Sequence, residues 1–243
     1  MDTRTLLEGT YDLDTRAILE AEGLAAPGIE LEAAVEGDPL EVSLTGRLAL
    51  RTHAIAYGVA QTCARNEAAI LAARDHIAQW METGASVRIL GAGRALLAGA
   101  MPGNRLAHAG AQVSFMGGMV PMPNSRHGGG VIACSASGHT KAVLEAMEIA
   151  KDKKIFTIGI AAAEAEAFRG LCDIFIGIHA EGKTANPLSA MADTGEYIIA
   201  ELLDGLVVAA GQRIGLDDEG WRAGHEDIGP TGPYAPLGPR AAG

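Results

Sequence analysis

Three hydroxyl side chains, Ser135, Ser137 and Thr140, lie close together in the sequence with Gly138 between them. Four small apolar residues precede them, and 141–147 has the pattern of a helix. A loop between a strand and a helix directs backbone N–H groups and the positive end of the helix dipole toward one place. The hydroxyls add hydrogen-bonding groups there without adding charge. The pattern therefore predicts a site for an anion such as a phosphate.

A simpler interpretation of the same residues is that Ser137 only caps the following helix. A cap needs a single side chain, whereas Ser135, Ser137, Gly138 and Thr140 all suit an anion. We therefore expect an anion site rather than a cap alone.

Short apolar segments alternate with helical patterns through the middle of the chain. Strands are predicted at 87–90, 112–116, 131–135, 155–160 and 173–178. Helices are predicted at 96–109, with an interruption near Pro102 and Gly103, and at 138–151, 163–168, 193–214 and 216–224. This alternation is typical of an α/β fold in three α/β/α layers, with a parallel sheet covered on both faces. Ligands of such sheets bind beyond the carboxyl ends of the strands, where residues 135–140 lie.

The segments before the first strand are predicted with less regular patterns. Between Gly46 and Thr83 the sequence has no Pro and a single Gly, so we expect one long helix or two helices that meet near Gly58. A short helix is predicted at 12–25 and a hairpin at 29–44. The residues from 229 onward are rich in Pro and Gly and show no periodicity.

The composition limits the classes of function. The chain has 243 residues, of which 48% are hydrophobic and 20% charged, which predicts one or at most two globular domains. The net charge of −11 argues against a nucleic-acid surface. No apolar run reaches the ~20 residues of a membrane span, and the first residues do not resemble a signal peptide, so we expect a cytoplasmic protein that binds a small ligand. The three cysteines have spacings that suggest neither a disulfide framework nor a zinc site.

A glycine pair, Gly91 and Gly93, follows the first predicted strand and precedes a helix. This resembles a dinucleotide-binding loop, but Leu96 replaces its third glycine and no acidic residue ends the next strand, so NAD is not expected. The glycines still allow the backbone to approach a ligand, and Arg94 can add a charge-assisted contact. A solvated surface arginine is the alternative interpretation of Arg94.

Two further patterns do not support their usual ligands. Residues 177–184 have Walker A spacing, but Gly177 lies in a predicted strand and Pro187 falls where a helix would begin, so nucleotide hydrolysis is not expected. The seven histidines include no H-E-x-x-H motif, so no metal site is predicted.

Taken together, residues 91–94, 104–110 and 135–140 resemble the sugar isomerase (SIS) domain, and within it the 6-phospho-3-hexuloisomerases. Those enzymes also have a Gly-Lys-Thr after the fifth strand, as at 182–184, and a Glu eight residues before an Asp, as with Glu196 and Asp204. A histidine and an acid follow near the end, here His225 and Glu226. The resemblance covers about 46–228, leaving 1–45 as an N-terminal extension and 229–243 as a C-terminal strap.

The resemblance implies a five-stranded, flavodoxin-like parallel sheet and a homo-oligomer, often a tetramer, with shared active sites. It implies isomerisation of phosphorylated sugars through an enediol, without a metal or organic cofactor. Glu196 would then move the proton and His225 would assist, and the phosphate would be held at a set of positions that match the family's motifs: Gly93, Arg94, Ser135, Ser137, Gly138, His139 and Thr140. Without the resemblance, Glu196 is better understood as a residue that interacts with a helix dipole, and His225 as a hydrogen-bonded surface group.

Several residues depart from the family's pattern. Ala95 replaces a usual Ser, Ala136 a usual Gly, and His139 a usual Lys or Glu. These changes are compatible with an altered substrate. Two alternatives to a sugar-phosphate isomerase therefore stay open: a non-catalytic module that binds a sugar phosphate, and an isomerase for a related carbonyl compound without phosphate.

Overall fold

The computed structural model describes residues 44–118, 128–179 and 194–224. The chain divides into two units, 1–53 and 54–243, and of the first the structure describes residues 44–53. The predicted helix at 12–25, the Pro/Gly-rich strap and the Gly-Lys-Thr segment at 182–184 lie outside the described residues. The predicted hairpin also lies outside them, except for Leu44, which begins a helix.

Five parallel strands form one sheet, as predicted. They are β1 (Ser86–Leu90), β2 (Gln112–Phe115), β3 (Gly130–Ser135), β4 (Phe156–Ala162) and β5 (Ile174–Ile178). Their order is β2-β1-β3-β4-β5, the flavodoxin-like order in which β1 and β3 are neighbours at the point where the winding reverses. All six residues of β3 are buried, as expected of a continuous apolar run in the middle of a parallel sheet.

Seven helices are described in these ranges. They are α1 (Leu44–Arg65), α2 (Glu67–Thr83), α3 (Arg94–His108), α4 (Lys141–Asp152), α5 (Glu166–Arg169), α6 (Thr194–Arg213) and α7 (Asp218–Gly224). None of these helices has the combined length and apolar character that crossing a bilayer requires.

The helices cover both faces of the sheet, which confirms the three-layer prediction. On one face α2, α3 and α6 contribute buried side chains such as Ile77, Leu106 and Leu203. On the other face α4 and α5 contribute Met147 and Phe168. Since neighbouring residues of a strand point to opposite faces, β1, β3, β4 and β5 each supply side chains to both cores.

The prediction that the third helix is interrupted near Pro102 is wrong, because α3 runs unbroken from Arg94 to His108 with Pro102 buried inside it. Proline removes one intrahelical hydrogen bond, yet tertiary packing maintains the helix. A Cβ on Gly99 would lie 2.7 Å from Ile89 Cγ2, and one on Gly103 would lie 3.0 Å from Phe115 Cε1. The two glycines therefore let α3 pack directly on β1 and β2.

The helices before the sheet meet at Asn66, so the prediction of one helix, or of a junction near Gly58, is wrong. Gly58 instead lies inside α1, where an added Cβ would be 3.0 Å from the His179 carbonyl oxygen. Gly58 therefore permits close packing rather than a chain reversal. Asn66 ends α1 because its side chain bonds to the edge strand β5 and not only to the helix backbone.

The Asn66 side chain makes, at the outer edge of β5, hydrogen bonds of the kind that a further strand would make. Its Nδ2 donates to the Gly177 carbonyl at 3.0 Å, its Oδ1 accepts from the Gly177 N–H at 3.0 Å, and Nδ2 also donates to the Thr62 carbonyl at 2.7 Å. An edge strand otherwise presents unpaired N–H and C=O groups. Asn66 therefore fixes α1 and α2 to the outer edge of the sheet.

Replacing Asn66 with Ala is expected to lower the free energy of unfolding by about 2–3 kcal/mol, because partly buried backbone groups lose their partners. Urea denaturation measures the loss. Asn104→Ala is the matched control, since Asn104 is exposed on α3, and it should change stability by less than about 0.5 kcal/mol. Equal stability of the two variants would contradict the bridging role of Asn66.

Candidate functional site

The predicted anion site lies at the carboxyl end of β3, in the segment Ser135–Thr140, called here the hydroxyl loop. The Ser135 side chain is turned inward and is only 1% exposed. Its Oγ accepts a hydrogen bond from the Gly138 N–H at 3.1 Å and lies 3.3 Å from Thr140 Oγ1. Ser135 therefore holds the loop together, while Ser137 and Thr140 are partly exposed.

The turn of the hydroxyl loop depends on Gly138. Its φ is +69°, a conformation that L side chains rarely adopt, and an added Cβ would collide with the Cβ of Ala165. The N-cap of α4 is Thr140 and not Ser137, so the interpretation of Ser137 as a simple cap is wrong. The Ser137 Oγ instead accepts from the N–H of His139 at 3.3 Å, and the His139 side chain is exposed.

The second predicted loop follows β1, the neighbour of β3. Gly93 has a φ of +56° and lies exposed immediately before α3. An added Cβ on Gly91 would lie 2.8 Å from backbone atoms of Leu96, so the loop folds tightly onto the first turn of the helix. Arg94 is the first residue of α3, and half of its side chain is exposed. The long side chain of Arg94 thus places a positive charge beside β1 and β3, where the winding of the sheet reverses.

Glu196 lies in the first turn of α6, and the start of this helix packs on the hydroxyl loop. A Cβ on Gly195 would be 3.1 Å from the Cβ of Ala136. The Glu196 Oε1 is 3.4 Å from a terminal nitrogen of Arg94, a long ion pair. The other oxygen, Oε2, is buried and has no hydrogen-bond partner among the described residues, although the side chain as a whole is 17% exposed. The fold therefore brings Glu196 to Arg94 and places its helix beside the hydroxyl loop.

The environment of the Glu196 carboxylate is energetically unfavourable for the folded protein. A partly exposed ion pair at this distance contributes at most about 1 kcal/mol, whereas a buried acceptor without a partner costs about 1–3 kcal/mol. A carboxylate held in this way is suited to accept a proton or a hydrogen bond from a bound molecule. Strained or unsatisfied groups of this kind persist where function requires them.

Thr194 is a residue at this place that the sequence analysis did not single out. It is 3% exposed, and its Oγ1 has no hydrogen-bond partner within the part of the chain that the structure describes. It lies two residues before Glu196, at the first position of α6. The only signal in the sequence is a hydroxyl residue at the start of a helix, which usually indicates a cap.

Some other predicted residues lie away from this site, and some are not among the described residues. His225 and Lys183 are not among the described residues. Asp204 accepts a hydrogen bond at 2.7 Å from Arg105 Nε and so joins α6 to α3. Among residues 44–118, 128–179 and 194–224, no group of three or more His, Cys, Asp or Glu side chains is arranged to hold a metal ion.

Comparison of the sequence with known proteins gives one relative at modest identity. The chain is 28% identical over 156 residues to an uncharacterized protein from Aeropyrum pernix, covering 58% of this chain and 73% of that protein. No family model matches the chain.

Comparison of the structure is more informative. A Methanococcus jannaschii protein, for which a function of 3-hexulose-6-phosphate isomerase has been inferred, superposes with a TM-score of 0.60 at 22% identity, covering 74% of this chain and 98% of that one. The Vibrio vulnificus NanR protein in complex with ManNAc-6P gives a TM-score of 0.58 at 16% identity, covering 86% and 76%. The sugar isomerase domain of an RpiR transcription factor from Sphaerobacter thermophilus gives 0.57 at 14% identity, covering 72% and 94%.

At these identities the likeness concerns the fold. The superpositions rest on the five-stranded parallel sheet and the helices that cover it. The resemblance found in the sequence is confirmed at that level, and this chain has the fold of the sugar isomerase (SIS) domain.

Proposed function

We propose that this protein is a SIS-family isomerase that interconverts phosphorylated sugars through an enediol intermediate. The observation that carries the proposal is the Glu196 carboxylate, with one oxygen beside Arg94 and the other buried without a hydrogen-bond partner in residues 44–118, 128–179 and 194–224. The Methanococcus jannaschii and Vibrio vulnificus structures support a sugar phosphate as the ligand class.

The hydroxyl loop is assigned to the phosphate. Ser137 and Thr140 offer partly exposed hydroxyls, and the first N–H groups of α4 favour negative charge. Ser135 is already bonded to the loop itself, so its contribution is to shape the site. Arg94, half exposed, can supply a charge-assisted hydrogen bond to the same anion.

Glu196 is assigned to the proton. Its carboxylate would remove a proton from the carbon next to the carbonyl, and the carbonyl oxygen would accept a proton as the enediol forms. Return of the first proton to the former carbonyl carbon, with loss of the hydroxyl proton on the other carbon, turns the C=C bond of the enediol into the new C=O bond and completes the isomerisation. The oxidation and reduction of the two carbons cancel within the one molecule, so the balance requires no redox partner. His225 is proposed as the group that assists at the oxygen, and its place in the site of its own or a neighbouring subunit remains a prediction.

The direct test offers 3-hexulose 6-phosphate and other ketose and aldose phosphates to the purified protein. Formation of an isomer, with solvent deuterium entering at the carbon next to the carbonyl, is the expected result. Failure of every phosphosugar to exchange or isomerise, while the protein is folded, would contradict an isomerase.

Thr140→Val tests the phosphate assignment. The expected result is a KM for the sugar phosphate raised roughly 10-fold or more, because a hydrogen bond to a charged group is worth about 1.5–3 kcal/mol. Thr83→Val, at the exposed end of α2, is the matched control and should leave KM unchanged. An unaltered KM in Thr140→Val would remove this hydroxyl from the phosphate site.

A second candidate function is a sugar-phosphate sensor without catalysis. It is favoured by the similarity to NanR and to the RpiR transcription factor. A sensor would be stabilised against heat by a sugar phosphate and would show neither turnover nor deuterium exchange.

A third candidate, an isomerase for a carbonyl compound without phosphate, is favoured by the internal use of the Ser135 hydroxyl. Inorganic phosphate would then fail to compete with the substrate.

A further inference from the structure

A cavity of about 220 Å³ opens at the carboxyl ends of β4 and β5, beside the second half of α1. None of its lining residues belongs to the hydroxyl loop, and neither Arg94 nor Glu196 lines it. This volume is below the roughly 300–1,000 Å³ of pockets that hold drug-sized ligands. The cavity therefore suits a compact ligand.

The polar part of the cavity has a fixed pattern of hydrogen-bonding groups. A terminal nitrogen of Arg65 lies 3.0 Å from Nδ1 of His179. A guanidinium only donates, so Nδ1 must be the acceptor and the imidazole is neutral, with its proton on Nε2. Burial, together with the charge of Arg65, lowers the pKa of His179 and favours the same form. Arg65 and His179 therefore present one charged donor and one neutral donor to a ligand in the cavity.

The wall that carries these groups is held in place by the backbone. The N–H of His179 donates to Oγ1 of Thr62 at 3.1 Å, and the same hydroxyl donates to the Gly58 carbonyl at 2.7 Å. The Asn66 bridge to Gly177 fixes the preceding residues of β5. Arg65 and His179 are thus presented by a rigid junction, which reduces the entropy lost on binding.

The charges around the cavity have opposite signs. Glu164 lines it together with Arg65, and the two charges act on His179 in opposite directions. A phosphate dianion in the cavity would be repelled by the Glu164 carboxylate, and a simple amine would be repelled by the Arg65 guanidinium. The lining also includes the aliphatic side chains of Ala54 and Ile178 and the uncharged polar side chains of Tyr57 and Gln61. A molecule that carries one positive and one negative group fits this lining best.

We propose that this cavity binds a small zwitterion, specifically a free α-amino acid with an uncharged side chain. Its carboxylate contacts Arg65 and the Nε2–H of His179, its ammonium group contacts Glu164, and its side chain lies on Ala54 and Ile178. This site is separate from the proposed sugar-phosphate chemistry and does not depend on it.

The test measures thermal unfolding of the full chain with glycine, L-alanine and L-leucine at millimolar concentration. At least one of them is expected to raise Tm by about 3 °C. Acetate, methylamine and inorganic phosphate, which carry only one sign of charge, should give no shift attributable to this cavity. Isothermal titration calorimetry with the best amino acid then provides a Kd.

Two variants assign the binding to the cavity. Arg65→Gln and Glu164→Gln should each weaken the amino acid at least 10-fold, because each removes one of the opposite charges. Glu166→Gln is the matched control, since Glu166 is exposed on α5 and does not line the cavity. Isomerisation or binding of sugar phosphates should be the same in all three.

The proposal is overturned if no amino acid shifts Tm, or if both cavity variants bind it as tightly as the original chain. Acetate or methylamine binding as well as the amino acid would equally contradict a zwitterion site. Because the readout is amino-acid binding and not turnover, loss of the proposed isomerase activity would leave this test unaffected.

Discussion

Glu196→Gln is expected to lower kcat for sugar-phosphate isomerisation by roughly 10²–10⁴-fold, the usual contribution of a positioned general base. The amide keeps the shape of the side chain and can still accept a hydrogen bond from Arg94, so substrate binding should change little. The neutral amide removes a charge from a largely buried site but also loses the long ion pair with Arg94, so Tm should change little. Steady-state kinetics and the rate of solvent deuterium exchange at the carbon next to the carbonyl measure the effect.

Glu201→Gln is the control for this experiment. Glu201 is exposed on the same helix, α6, and the substitution makes the same change of charge. It should leave kcat and deuterium exchange unaltered. If Glu196→Gln exchanges deuterium as fast as the original chain, Glu196 is not the base. A fall in kcat with exchange preserved would place its role at a different step.

Gly138→Ala is expected to lower the free energy of unfolding by about 2–5 kcal/mol. The methyl group would be forced into a positive φ, which costs about 1–3 kcal/mol, and would also meet the buried side chain of Ala165. Because the Gly138 N–H donates to the Ser135 hydroxyl, the strain falls on the hydroxyl loop itself. Affinity for a sugar phosphate should fall together with stability, as urea denaturation and ligand-induced thermal shifts will measure.

Gly205→Ala separates this effect from the general effect of adding a methyl group. Gly205 lies exposed in the middle of α6, and a Cβ there would contact nothing within 4 Å. Alanine favours a helix over glycine, so this variant should gain up to about 1 kcal/mol. A Gly138→Ala protein as stable as the original chain would show that the turn tolerates a side chain and that its geometry does not define the site.

The candidate site could be predicted from the sequence only in part. The hydroxyl loop was located because a buried apolar run, a cluster of hydroxyls and a helix follow one another without interruption. The burial of Ser135 could not be predicted, because the direction of a side chain at a strand end depends on the turn that follows it. The burial of Thr194 could not be predicted for a similar reason, since it depends on how α6 packs.

Local preferences failed where packing decided the outcome. Pro102 predicts a broken helix, yet α3 continues because Gly99 and Gly103 let it lie against the sheet. Gly58 predicts a junction, yet the helices part at Asn66, whose side chain bonds to Gly177, distant in sequence. Both errors arise from contacts between residues far apart in the chain.

The class of fold, the five strands and the position of the hydroxyl loop follow from the order of the amino acids alone, because periodicity, glycine and chain direction act over short distances. The contact of Glu196 with Arg94, 102 residues away, and the cavity wall that Arg65 and His179 share with Glu164 arise when the chain is folded. Such encounters depend on the order β2-β1-β3-β4-β5 and on the packing of α1 and α6. The physical reason is that contact between distant residues is fixed by the joint burial of whole elements, which no local pattern encodes.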